Sequence, residues 1–173
     1  MFSPNQHQAI NPSNNFIIEI LYMETIIPHT LQEVTINYKP SHNSSSLHKI
    51  ATSKEAIDVL RLIWSDRMNY VEEMYLLLLN RGGCLIGYCK LSQGGTSSTI
   101  VDVKMILQVA IKANAHSLIL AHNHPSGNIK PSEADLLLTR RVKESCKLMD
   151  IALLDHVILT TESFYSFADE GGM

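Results

Sequence analysis

Two histidines in this sequence are spaced so that both side chains can reach one metal ion. His122 and His124 lie two residues apart, directly after residues 117–121, a short apolar run that predicts a buried strand. In extended backbone, positions i and i+2 point to the same side of the chain. The two imidazoles are therefore predicted to face the same cation. A pair of histidines beside a turn can also form hydrogen bonds with the backbone, and the spacing alone leaves that alternative open.

A carboxylate follows at a position that can complete the donor set. Asp135 falls in the first turn of a helix that is predicted to begin at Ser132. Backbone N–H groups and the helix dipole favour an anion there. Two imidazoles and one carboxylate would leave one corner of a tetrahedral Zn²⁺ site open, which is the pattern of a catalytic site rather than a structural one. Taken alone, Ser132 and Asp135 also have the spacing of a capping box, which is a purely structural motif.

Two adjacent glutamates are the candidates for a general base. Hydrolysis at such a metal is faster when a neighbouring carboxylate accepts a proton from the attacking water. Glu72 and Glu73 stand in front of the apolar run of residues 74–79. Strand alternation places only one of the two on the metal side. The alternative for both is ordinary surface charge at the start of a strand.

Helices and strands alternate loosely along the part of the chain that carries these residues. Thr52 and Glu55 have the spacing of a capping box, after which apolar residues recur at helical intervals. Continuous apolar runs bounded by turns predict strands, and the first two are close enough to form a hairpin. This order predicts a mixed β-sheet flanked by helices, in the α+β or mixed α/β class. The predicted helices are residues 53–68, 101–113 and 132–149, and the predicted strands are residues 74–79, 84–91, 117–121 and 151–159, with a last short element at 164–167.

Residues 1–48 differ from the remainder and are predicted to be a partly flexible N-terminal extension. They hold four of the six prolines and a Ser/Asn run at residues 41–46. Residues 16–27 predict a strand or a short helix, and the alternation in residues 31–38 predicts a strand. The candidate site residues all fall in residues 49–173, which are predicted to form a single domain.

The composition excludes several classes of protein. A chain of 173 residues that is 45% hydrophobic is too apolar to be disordered throughout. The three cysteines are an odd number, which does not suit a disulfide scaffold. The first positive charge is Lys39, so the basic start of a secretory signal is missing, and residues 16–27 are too short and too charged to cross a membrane. We therefore expect a reduced, cytoplasmic protein without membrane contact.

The histidine and aspartate motif resembles that of a known enzyme family. His-Asn-His-Pro at residues 122–125, followed by Ser132 and Asp135, resembles the JAMM motif of the JAB/MPN family of zinc metallopeptidases. The surrounding residues, together with Leu-Leu-Asp-His at 153–156 and the closing residues 166–171, resemble the RadC-type branch of that family. The resemblance covers about residues 50–173. It implies a JAB/MPN-like (cytidine-deaminase-like) fold with a single domain.

The resemblance also implies a function and a role for each candidate residue. The chain would be a zinc-dependent hydrolase of amide bonds, in peptides or isopeptides, with a peptide or protein as its substrate. His122, His124 and Asp135 would hold Zn²⁺, with a water as the fourth ligand. Glu72 would be the general base, and Ser132 would stabilise the developing oxyanion. Neither the identity of the substrate nor the oligomeric state follows from the motif.

A rival function comes from the same resemblance, since RadC-type proteins have long been labelled DNA-repair factors. The chain would then be a nucleic-acid-processing accessory protein, or a binding module with a vestigial metal site. Arg140, Arg141, Lys143 and Lys147 form a basic cluster on one predicted helix, although a solvated helix face is the simpler explanation. A net charge of −3 counts against nucleic-acid binding. A salt-dependent DNA-binding titration would separate the two functions.

Asp155 and His156 belong to the residues that resemble the RadC-type branch, but their role stays open. Support of a metal ligand from behind and plain packing are both favoured over direct metal binding. The sequence offers no way of choosing between these two.

Overall fold

A computed structural model of the chain describes residues 47–94 and 101–173. The predictions for residues 1–46, including the strands or helix of the extension and its Ser/Asn run, lie outside the described residues. The division into an extension and a domain stays a prediction. The elements in chain order are α1 (Ser53–Ile63), β1 (Glu73–Leu79), β2 (Leu85–Gln93), α2 (Val103–Lys112), β3 (Ser117–Asn123), α3 (Glu133–Lys147), β4 (Ala152–Leu159) and β5 (Phe164–Ser166).

The strands form one mixed sheet in the order β2-β1-β3-β4-β5. β1 and β2 are antiparallel and form the predicted hairpin, and β3 lies antiparallel to β1 on its other side. β3 and β4 are parallel, because the intervening helix α3 returns the chain to the same end of the sheet. β5 runs antiparallel to β4 at the edge. The predicted fold class, a mixed sheet flanked by helices, is confirmed.

Side chains of the central strands alternate between two apolar cores, one on each face of the sheet. Leu76 and Leu120 lie on the face covered by α2 and α3, whereas Leu77 and Ile119 lie on the face covered by α1. Every residue of β1 and of β3 is buried. Continuous apolar runs such as these are expected for strands that are covered on both faces. The ends of these two strands are therefore held firmly by packing on both sides.

Helix α1 begins as predicted but ends earlier. The Thr52 hydroxyl accepts the Glu55 N–H, and the Glu55 carboxylate accepts the Thr52 N–H, which is the predicted capping box. The predicted end at residue 68 is wrong. Beyond α1 the chain follows contacts with the sheet instead, and the carbonyl group of Met68 accepts a hydrogen bond from the side chain of Asn123 in β3. Long-range contacts of this kind are invisible to a search for helical periodicity.

The buried faces of α2 and α3 are not simple stripes of apolar residues at every fourth position. In α2 the apolar residues at every fourth position from 101 include Met105, which is 46% exposed. A constant step of four drifts around a helix of 3.6 residues per turn, whereas alternating steps of three and four stay on one face. In α3 the buried face includes Thr139, which a search for apolar residues passes over. The buried residues of α2 are Val103, Ile106 and Ala110.

Two further expectations concern membranes and disulfides. Within residues 47–94 and 101–173, no helix is both long and apolar enough to cross a bilayer. Cys84, Cys89 and Cys146 are all free thiols. Burial raises the pKa of Cys146 to about 11, which keeps this thiol protonated near neutral pH.

Candidate metal centre

Strand β3 delivers both histidines to the same face of the sheet. The strand continues to Asn123, beyond its predicted end. The His124 N–H then donates a hydrogen bond to the Leu159 carbonyl of β4, with an N···O distance of 2.9 Å, which keeps the backbone extended through the second histidine. His122 and His124 consequently project to the same side. Gly127, with φ at 77°, adopts the left-handed conformation that the following turn requires.

Asp135 comes to the histidines from the first turn of α3. Ser132 is the N-cap of the helix, and its hydroxyl oxygen accepts the Asp135 N–H at 3.2 Å. Asp135 Oδ2 in turn accepts the Ser132 N–H at 2.7 Å, which completes a capping box. The capping interpretation of these two residues is therefore confirmed. The cap fixes the carboxylate at the helix start, with its other oxygen, Oδ1, directed at His122.

The three side chains converge to the spacing that a single metal ion needs. His122 Nε2 lies 3.0 Å from His124 Nε2 and 3.1 Å from Asp135 Oδ1, and His124 Nε2 lies 3.6 Å from Asp135 Oδ2. Two ligand atoms that are each about 2.0–2.1 Å from a tetrahedral zinc ion lie about 3.3 Å from one another. The observed separations bracket this value. His122, His124 and Asp135 thus form a candidate metal site with two nitrogen donors and one oxygen donor.

Each histidine is also held through the ring nitrogen that faces away from this centre. His124 Nδ1 lies 2.6 Å from the Asn128 carbonyl oxygen, to which it donates. His122 Nδ1 lies 2.9 Å from His156 Nε2, in β4. Metal-binding histidines usually have such a partner on the second ring nitrogen. The His122 side chain is completely buried, whereas those of His124 and Asp135 are 17% and 10% exposed, so the site reaches solvent on one side.

The electrostatics of the site favour a cation. Burial opposes the ionisation of Asp135, but its contacts with the His122 and His124 rings outweigh burial and hold the pKa of this carboxyl well below its ordinary value. The neighbouring Asp135 carboxylate raises the pKa of His124 above its ordinary value, and the negative charge of Glu72 acts in the same direction. An ionised carboxylate therefore faces both imidazoles at neutral pH.

The structure places Glu73 on the opposite face of the sheet from the histidines. Glu73 is the first residue of β1 and is completely buried on the α1 side. Its carboxylate accepts hydrogen bonds from the Ser65 hydroxyl and from the Lys90 ammonium group. Glu73 is therefore not an ordinary surface charge, which was the alternative left open by the sequence. Its carboxylate faces away from the candidate metal site.

Glu72, in contrast, belongs to the same side of the sheet as the histidines. It stands two residues before Met74, which pairs with His122 across the two strands. Its charge contributes to the raised pKa of His124, so it acts on the histidine side of the sheet. Its carbonyl oxygen accepts the Gly94 N–H at 2.9 Å, which ties its backbone to the end of β2. The expectation that only one of the two glutamates can serve the metal site agrees with this arrangement.

Asn123, between the two histidines, connects their strand to the segment of the two glutamates. Its completely buried side chain donates from Nδ2 to the carbonyl groups of Met68 and Val71, at 2.6 and 2.9 Å. Its Oδ1 accepts the Glu73 N–H at 2.7 Å. The main chain around Glu72 is thereby held in a fixed position relative to the histidines. This role of Asn123 was not predicted from the sequence.

The Ser132 hydroxyl is engaged with Asp135. Ser132 Oγ lies 2.6 Å from Asp135 Oδ2, to which the hydroxyl donates its only proton. Ser132 therefore steadies the carboxylate in this structure. Before Ser132 can stabilise an oxyanion, its hydrogen bond to the Asp135 carboxylate must break.

Asp155 and His156 have different environments, although they are neighbours in sequence. The Asp155 carboxylate accepts the Ser166 hydroxyl at 2.6 Å and the Ala168 N–H at 2.9 Å, and burial raises its pKa. Asp155 therefore fastens the C-terminal turn to β4. His156 contacts His122 and also Thr139, whose Oγ lies 2.6 Å from His156 Nδ1.

The role of Thr139 was not predicted from the sequence, although its spacing from Asp135 indicates it. It lies four residues after Asp135 and so shares its side of helix α3. A polar residue one turn from a candidate ligand, on the buried face of a helix, is a candidate for supporting the site.

Comparison with known proteins gives a consistent picture. Residues 50–172 match the family model described as a RadC-like JAB domain. A UPF0758 protein of Flavobacterium johnsoniae is 40% identical over 125 residues, which are 72% of this chain and 54% of that protein. A UPF0758 protein of Porphyromonas gingivalis is 48% identical over 101 residues, which are 58% of this chain and 44% of that protein. The chain spans about half the length of these relatives.

Proposed function

Since the chain belongs to the RadC-like JAB domain family, we propose that it is a zinc-dependent hydrolase of amide bonds in peptides or isopeptides. The observation that carries this proposal is the convergence of His122, His124 and Asp135. The partial exposure of His124 and Asp135 supports it, because a catalytic site must admit water and a substrate. The proposed partner is a peptide or protein substrate.

The proposed metal ligands are Nε2 of His122, Nε2 of His124 and the carboxylate of Asp135. Two nitrogens and one oxygen are a donor set that zinc uses in catalytic sites, where three protein ligands leave a fourth position open. When bound, the metal would acidify a water molecule and polarise the carbonyl group of the substrate. The Asn128 carbonyl and the Ser132 cap hold two of the ligands in place without any ion.

Glu72 is the proposed general base. It would accept a proton from water while the water oxygen bonds to the carbonyl carbon of the substrate. It would then donate this proton to the nitrogen of the leaving amine as the C–N bond breaks. The charge of Glu72 already acts on His124, which supports a position close to the reacting groups.

Ser132 is the proposed donor to the developing oxyanion. Its hydroxyl donates a hydrogen bond to Asp135 Oδ2 in this structure. Coordination would draw the negative charge of Asp135 toward the metal, and the carboxylate would then compete less strongly for the proton. The hydroxyl would be free to donate to the carbonyl oxygen as negative charge develops there.

Hydrolysis by the zinc-loaded protein is the direct test of this function. The purified protein would be incubated with quenched fluorescent peptides and with peptides joined through a lysine ε-amino group. We expect cleavage in at least one of these sets, its loss on treatment with a chelator, and its return when Zn²⁺ is added. If the zinc-loaded protein cleaves no member of either set, the proposed function is wrong.

Metal binding is expected to weaken at acid pH, because a proton competes for His124. The neighbouring Asp135 carboxylate raises the pKa of His124, and only the neutral imidazole can bind a metal. Zinc affinity should therefore be constant above this raised pKa and fall about tenfold per pH unit below it. Chelator competition at several pH values measures the affinity, and an NMR titration of the metal-free protein gives the pKa of His124. An affinity that stays constant through that pKa would show that His124 is not a ligand.

The rival function as a nucleic-acid-processing accessory protein is supported by one observation. Arg140, Arg141, Lys143 and Lys147 are all exposed on α3, and in the part of the chain that the structure describes none of them lies in an ion pair. Exposed, unpaired cations on one helix suit contact with phosphate groups. The metal site has no part in this explanation, which is why we favour the hydrolase.

A further inference from the structure

A chain of buried hydrogen bonds runs from helix α3 to the first histidine of the metal site. Thr139 Oγ lies 2.7 Å from the Asp135 carbonyl oxygen and 2.6 Å from His156 Nδ1. His156 Nε2 lies 2.9 Å from His122 Nδ1. Thr139 is 3% exposed, and both histidines are completely buried. Solvent is therefore excluded from the two histidines and almost excluded from Thr139, so each proton in this series of hydrogen bonds is expected to lie between two protein atoms.

The direction of every hydrogen bond follows from one fixed end. The Asp135 carbonyl can only accept, so the Thr139 hydroxyl donates its single proton to it. The Thr139 oxygen can then only accept from His156, which places the ring proton on Nδ1. A neutral imidazole has one N–H, so His156 Nε2 is an acceptor. His122 must donate to it from Nδ1, and the bare nitrogen of His122 is then Nε2, which faces His124 and Asp135.

The surroundings of His156 keep this ring neutral and in one orientation. His156 is completely buried and, among the described residues, no carboxylate accepts a hydrogen bond from its ring, so a charged imidazolium is disfavoured there. The ring stacks on Phe167, with centroids 4.9 Å apart and an interplanar angle of 10°. Phe167 is itself completely buried. A neutral ring that is packed in this way can transmit the orientation set by Thr139.

We propose that Thr139 and His156 are positioning residues of the metal site, which hold His122 in the tautomer with a bare Nε2 and aim that nitrogen at the ion. This inference rests on the proposed metal binding but not on hydrolysis. If the Thr139 hydroxyl instead donated to His156 Nδ1, the bond between His156 and His122 would reverse, and the proton would lie on His122 Nε2 and would exclude a metal. One turn of α3 therefore positions two ligands, Asp135 through the Ser132 cap and His122 through Thr139.

Thr139→Val is the test, because valine keeps the shape of threonine and removes the hydroxyl. His156 Nδ1 would then have no acceptor, and the ring is expected to carry its proton on Nε2 instead. His122 would in turn move its proton from Nδ1 to Nε2. Nitrogen-15 NMR of the metal-free protein at mildly alkaline pH reads this tautomer directly. Chelator competition should show zinc affinity about 10–100-fold weaker than in the wild type.

Two variants separate positioning from general damage to the fold. Thr139→Ser keeps the hydroxyl and should restore both the tautomer and the zinc affinity. Thr160→Val makes the same change at another buried threonine, which bonds to Ser163 and takes no part in the hydrogen bonds between Thr139 and His122. It should alter neither the tautomer nor the zinc affinity. If Thr139→Val does not fold, His156→Gln and His156→Leu replace it. Glutamine retains an acceptor for His122 and leucine does not, so only the leucine variant should bind zinc weakly.

The outcomes are separable from those of the hydrolase test. Zinc affinity in Thr139→Val equal to that of Thr160→Val would overturn the inference, and so would a wild-type His122 that carries its proton on Nε2. If the tautomer and the affinities follow expectation but no peptide or isopeptide is cleaved, the positioning role stands and the proposed hydrolase function fails.

Discussion

Replacing Asp135 with alanine is expected to remove metal binding and hydrolysis together. Asp135 is the one oxygen donor of the three converging side chains, and its carboxylate is held ionised against both histidines. Loss of a residue that merely supports a ligand weakens metal affinity about 10–100-fold. Loss of the ligand itself should therefore exceed about 100-fold. Metal analysis should find about one zinc per chain in the wild type and none in Asp135→Ala.

A matched control is needed because Asp135 also takes part in the cap of α3. Asp102 caps α2, where its carboxylate accepts the Lys104 N–H at 2.9 Å, and it is not one of the three converging residues. Removing either carboxylate should lower the free energy of unfolding by about 1 kcal/mol. Only Asp135→Ala should lose zinc. A folded Asp135→Ala variant that retains stoichiometric zinc would contradict the ligand assignment.

The Glu72→Gln variant is expected to bind zinc normally but to lose most of its hydrolytic activity. Glutamine preserves the size of the side chain but cannot accept the proton from water. A general base typically contributes about 10²–10⁴-fold to the rate, so kcat should fall by that factor. KM and zinc content should change little, because Glu72 is not among the converging ligands. Steady-state kinetics on a peptide cleaved by the wild type, with metal analysis of the same samples, gives all three quantities.

The neighbouring glutamate supplies the control for this prediction. Glu73→Gln makes the same change one residue away, on the opposite face of the sheet. It weakens the contact with Lys90 and should lower stability, but kcat should stay within a few-fold of the wild type. Normal turnover by Glu72→Gln, or equal losses in both variants, would show that Glu72 is not the base.

The features that were predicted correctly from the sequence are those that local physics decides. Both capping boxes depend on residues three positions apart, and their hydrogen bonds form within one helical turn. The common orientation of His122 and His124 depends only on strand alternation. The fold class likewise follows from the order of apolar runs and turns. These relationships span a few residues, so periodicity and spacing are enough to reveal them.

The features that were wrong or missing depend on residues far apart in the chain. The end of α1 was placed too late, and the segment that follows the helix includes Met68, whose carbonyl bonds to Asn123, a contact that no helical pattern records. The choice between Glu72 and Glu73 stayed open because it requires the register of β1 against β3. The burial of Thr139 requires the packing of α3 on the sheet.

The sequence by itself thus determined the type and order of the elements and which residues carry metal-binding groups. The tertiary structure alone decided that His122, His124 and Asp135 meet, and which polar groups stand behind them. The physical reason is the difference in range. A cap or a strand face is set by neighbours along the chain, whereas the path from Thr139 through His156 to His122 exists only after β3, α3 and β4 have packed.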